Sequence, residues 1–80
     1  MEKIKRWLDK ECFNYREVEL NYHDKIVRGV MVDTNYNGEH PNPIVLSIHA
    51  YIDNHISRFY KGFRTESRGH YTGLLIISNQ

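Results

Sequence analysis

Eighty residues hold one cysteine, two prolines, five scattered glycines and no long apolar run, and each scarcity removes a class of protein. A lone Cys12 rules out an internal disulfide framework and agrees with a reducing compartment. The longest purely aliphatic stretch, Leu74 to Ile77, is far short of the ~20 residues that span a bilayer. The basic N-terminus lacks the apolar segment of a signal peptide, so a cytoplasmic location and no membrane association are expected. Gly29, Gly38, Gly62, Gly69 and Gly73 are too dispersed to form a phosphate-cradling loop. Neither sign of charge dominates: 11 Lys and Arg face 10 Asp and Glu, so no global field selects nucleic acid. Repeats, low-complexity tracts and linkers are also missing, which predicts one small domain over residues 1–80.

Chemistry-bearing clusters are equally sparse. His23, His40, His49, His55 and His70 form neither an HxxxH pair nor a cysteine-based zinc spacing, so no metal and no cofactor are expected. His49 and Asp53 are four apart on a predicted helix, where an ordinary surface or flank contact explains them. Cys12 lies on the apolar side of a predicted helix, which favours a buried, inert thiol over a nucleophile. Glu17 and Glu19 share one strand face about 7 Å apart, which is a spacing a glycosidase could use. So small a domain has little room for a sugar cleft, and solvated strand residues or an acidic stripe for a partner fit better. No catalytic residue is nominated, and the chain is read as not an enzyme.

What is present is strong patterning. Asn42 as an N-cap and Pro43 at the first helical position mark the start of a long helix running to Gly62, with fraying to about Phe63. Val45, Ile48, Ile52, Ile56, Phe59 and Phe63 form its core stripe, flanked by Ile44, Tyr51 and Tyr60, while Leu46 is an apolar outlier on the solvated face. Ile4, Trp7, Leu8 and Cys12 recur at helical spacing and predict a short helix over residues 2–12. From Tyr15 the period becomes two, through Val18, Leu20 and Tyr22; His23-Asp24 reads as a turn, and a β-branched strand follows from Lys25 to about Thr34. Residues 34–42 read as a loop, 64–69 as a polar connection and 70–78 as a third strand. The second and third strands are apolar on both faces, which marks them as covered on both sides.

The expected fold is therefore α+β, in the order α-β-β-α-β: a three-stranded, mainly antiparallel sheet with the long helix on one face and a short N-terminal helix. The other face needs a cover, supplied either by that short helix or by a second subunit in a homodimer.

Two functional readings emerge. The small size and missing catalytic motifs are those of phage or mobile-element accessory and inhibitor proteins, which occupy a surface of a larger protein; that is a likeness of kind, without a motif behind it. For such a partner the contact candidates are Tyr36, in an Asn-rich loop, with Leu46 and the acids Glu17 and Glu19. The alternative is nucleic-acid binding by the stretch that holds Arg58, Tyr60, Lys61, Arg64 and Arg68, since cations for phosphate and rings for stacking are interleaved there. Cations at a helix C-terminus also complement its macrodipole, which explains the same residues without a ligand.

Overall fold

A computed structural model describes residues 1–34, 43–69 and 72–79. Tyr36, His40, Asn42, His70 and Tyr71 lie outside the described residues. The elements are α1 (Glu2–Lys10), β1 (Asn14–Tyr22), β2 (Lys25–Asp33), α2 (Pro43–Phe59), β3 (Phe63–Arg68) and β4 (Gly73–Ser78). The strands form one sheet in the order β1-β2-β4-β3, every neighbouring pair antiparallel.

This is the expected α+β class with one more strand. The segment read as a polar connection is β3, whose inward side chains Thr65 and Ser67 are polar because they face the polar flank of α2. Thr65 Oγ1 donates to Asp53 at 2.7 Å, and Ser67 Oγ stands 3.2 Å from His49 Nδ1. An edge strand satisfied by such contacts carries no alternating apolar signal. The long helix also ends at Phe59, three residues before the expected stop at Gly62, and Gly62 turns the chain into β3 with φ +89°.

Both helices lie on the same face of the sheet. Ile4 and Leu8 of α1 join Ile52 and Ile56 of α2 over Val30, Val32, Leu74 and Ile76, all at most 2% exposed. α1 therefore does not cover the opposite face, as one expectation had it. Leu75 and Ile77 point to that opposite face and are still fully buried. Their cover is the β1–β2 hairpin.

In register, Arg16, Met31, Leu75 and Glu66 form one row across the sheet. Tyr22 lies six residues beyond Arg16, about 20 Å along a flat strand, and on the far side of the sheet from β3. Its hydroxyl nevertheless donates to Glu66 Oε2 at 3.1 Å and accepts a hydrogen bond from Arg68. The distal half of the hairpin must curl back across its own sheet. At Gly29, where the pairing of β2 with β4 ends on the hairpin side, the neighbouring strand is close: a Cβ there would stand 2.6 Å from Ile77 Cγ2 and 2.7 Å from the Ile76 carbonyl oxygen. A two-residue turn closes the tip, with His23 and Asp24 both at positive φ (48° and 66°), as a type I′ hairpin requires. Leu75 and Ile77 are thus buried within a single copy of the chain, and this face does not need a second subunit to cover them.

Candidate binding surface of the helical layer

α1 is short because a Schellman motif stops it. Cys12 takes the left-handed position (φ 62°), its N–H donates to Asp9 O, and the Phe13 N–H donates to Leu8 O. Cys12 is consequently exposed, correcting the buried thiol expected from helical spacing. Phe13 turns back onto the core.

The nine-residue α1 runs against only part of the 17-residue α2. The Tyr60 hydroxyl donates to Lys3 O at 3.4 Å at one end of the contact, and the Tyr51 hydroxyl donates to Glu11 at the other. The seam between them is aromatic. Trp7 stacks on His55 at 3.8 Å with planes 6° apart, and contacts Phe13 and Tyr51; His55 in turn meets Phe59 and Tyr60. Burial in this stack holds the His55 imidazole below its ordinary pKa, against an opposing pull from Glu11. The hydrogen bond to Glu11, with burial second, holds the Tyr51 phenol above its own.

Among the described residues, no other element covers the α1-side flank of α2 beyond the end of α1. Pro43, Ile44, Ser47, Ile48 and Tyr51 line a shallow apolar shelf there, with Ile44 72% and Tyr51 50% exposed. No charged residue occurs from Pro43 to Ile52. Leu46, 43% exposed, sits on the opposite flank of the helix, toward β3. Phe59, expected in the core stripe, is 63% exposed at the last turn, with Arg58 5.7 Å from its ring centre. The buried α2 residues are Val45, His49, Ile52 and Ile56.

Charges around this layer are segregated. Glu2 pairs with Lys5 on the β1 side, where Lys5 also pairs with Glu17. Those hydrogen bonds raise the Lys5 pKa, Glu17 first, and lower that of Glu17. Asp9 faces Tyr15, Glu11 accepts from Tyr51, and Asp53 accepts from Thr65. Among the described residues, Lys3, Arg6, Lys10 and Lys61 have no carboxylate partner.

The structure divides the residues nominated from sequence. Arg64 and Arg68 are on the opposite sheet face, both paired with Glu66 at 3.4 and 2.8 Å, away from Arg58 and Lys61. Glu17 and Glu19 are engaged within the chain, Glu19 by its cross-strand neighbour Arg28 at 3.3 Å. His49 and Asp53 both reach β3, through Ser67 and Thr65; His49 is buried, with Nε2 3.3 Å from Thr34 Oγ1. Among the described residues no three His, Cys, Asp or Glu side chains stand close enough to hold a metal ion. Nor is any described helix long and apolar enough to cross a membrane. The shelf itself was signalled by the uncharged run from Pro43, but its exposure depends on where α1 stops. Comparison with protein-family models, curated proteins and solved structures finds no match.

Proposed function

We propose that this chain is a non-enzymatic binding domain, working in the cytoplasm, that docks the apolar shelf at the start of α2 onto a larger protein. The observation that carries the reading is the exposure of Ile44 and Tyr51 in a domain whose two sheet faces are already covered. Exposed aliphatic and aromatic groups side by side, without a charge among them, suit the centre of a protein interface. Burying Ile44 alone contributes about 1–2 kcal/mol to such a contact. The shelf offers no cation to a phosphate backbone, which favours protein over nucleic acid at this position.

A photo-crosslinking side chain placed at Ile44, and separately at Asn21 in the distal hairpin, tests this in the cells that make the protein. The shelf position should join one dominant protein that the Asn21 position does not reach, and Tyr51→Glu should abolish the product. Identical products from the two positions would overturn the reading. A product consisting only of a second copy of this chain would make the shelf a homodimer interface and would also overturn it.

A further inference from the structure

The end of the helical layer opposite the shelf differs from it in kind. There the N-terminal turn of α1 meets the last turn of α2, through the Tyr60 hydroxyl and the Lys3 carbonyl. Lys3 and Arg6 project from α1, Arg58 from the last turn of α2 and Lys61 from the turn that follows it, all four exposed. The acids of this layer are turned away: Glu2 is held by Lys5 on the β1 flank and Asp53 by Thr65 on the β3 flank. Phe59 is 63% exposed at this end, with Arg58 beside its ring. Behind it His55 and Trp7 continue the row of rings.

An exposed phenylalanine is an unfavourable place to leave apolar area unless something stacks on it, and four cations without a carboxylate partner among the described residues attract a polyanion. We propose that this end of the helical layer binds single-stranded nucleic acid, with Lys3, Arg6, Arg58 and Lys61 on phosphates and a base stacked on Phe59. The surface is separate from the shelf and does not depend on the protein partner. It excludes Arg64 and Arg68, which lie on the opposite face of the sheet, both paired with Glu66 of their own strand. An acidic protein surface would satisfy the cations but not favour a flat partner for the ring, and bases do both.

The probe is a fluorescein-labelled oligonucleotide of twenty thymidines, read by anisotropy at low salt, with a sugar-phosphate strand of equal length lacking bases and polyglutamate as competitors. Four phosphate contacts predict a logarithmic salt slope of about −3, so affinity falls about 50-fold between 50 and 200 mM salt. Phe59→Ala should weaken binding about tenfold. Lys3→Glu with Lys61→Glu should weaken it more than tenfold and flatten the salt slope. Lys25→Glu with Arg28→Glu, the same charge change on the hairpin, should leave binding nearly intact. Circular dichroism of each variant checks that it remains folded, and Ile44→Glu should leave oligonucleotide binding unchanged. No binding at low salt overturns the proposal. So does equal competition by the strand without bases, or by polyglutamate, which would point to an acidic protein instead.

Discussion

Replacing Gly29 by alanine tests how closely β2 lies against β4 at the end of their pairing. The new methyl would stand 2.6 Å from Ile77 Cγ2 and 2.7 Å from the Ile76 carbonyl oxygen, both closer than real carbon contacts allow. The carbonyl belongs to the backbone of the fully buried β4 and cannot swing aside, so β2 must lift from β4 where their pairing ends. Overpacking of this kind costs about 1–3 kcal/mol, and the rigid neighbour puts Gly29→Ala near the upper end. A domain of this size has about 4–12 kcal/mol in total, and each kcal/mol moves the Tm by about 4–8 °C. Gly29→Ala should therefore lower the Tm by about 10–20 °C. The control is Gly73→Ala, also in the sheet, where the methyl meets Met31 Sδ at 2.9 Å. That sulfur is the far end of a flexible side chain, and the change in stability should be within about 0.5 kcal/mol. Urea unfolding followed by circular dichroism and by the fluorescence of Trp7 measures both. Equal stability of the two variants would refute the close contact of Gly29 with β4.

Cys12→Gly relieves a left-handed residue at the end of α1 and should stabilise the fold by about 0.5–1 kcal/mol in the same unfolding experiment. His23→Asn combined with Asp24→Gly suits the two positive φ angles of the hairpin turn and should add a similar amount. His55 supplies a pH dependence. Its folded pKa is depressed by burial, so the unfolded chain binds the proton first and stability falls as pH drops from the unfolded value, about 6.5, through the folded one. Between pH 7.5 and 5 the wild type should lose more stability than His55→Gln, as read from urea midpoints at each pH.

How much of this could be read from residues depended on whether the signal was local. α2 announced itself through Pro43 and the spacing of Val45, Ile52 and Ile56, and β2 and β4 through aliphatic groups on both faces. The turn at His23-Asp24 was legible as a break between two alternating runs. β3 was not, because its inward positions are a threonine and a serine that find polar partners on α2, and only the fold brings those together. Nor could the cover of Leu75 and Ile77 be found, since it depends on how the hairpin curls over the sheet, as the Tyr22–Glu66 contact shows, rather than on any pattern in the hairpin. The binding surfaces failed for a related reason. Phe59 lies on the apolar stripe of a helical wheel, but a wheel has no end, and at the last turn there is no sheet beneath it. Arg58, Lys61, Arg64 and Arg68 are neighbours in the chain, yet the turn at Gly62 sends the second pair to the opposite face of the sheet.

The separation of folding from binding residues can be tested within α2 itself. Ile52 is fully buried between the helix and the sheet, and Ile52→Ala should cost about 2–5 kcal/mol through lost burial and the cavity left behind. Ile44 lies eight residues earlier on the same helix and is 72% exposed, so the folded state removes little of it from water. Ile44→Gln should change stability by less than about 0.5 kcal/mol, and the better helix propensity of glutamine works against even that loss. Phe59→Gln should behave in the same way, apart from the contact its ring makes with His55. Urea midpoints for the three variants give the comparison. A loss above 1.5 kcal/mol at Ile44 would mean that the side chain serves the fold, and the shelf would then need no partner to explain it. A negligible loss leaves an isoleucine held in water by a chain that has polar alternatives of equal stability. That is the condition under which its apolar surface has to be accounted for by something outside the molecule.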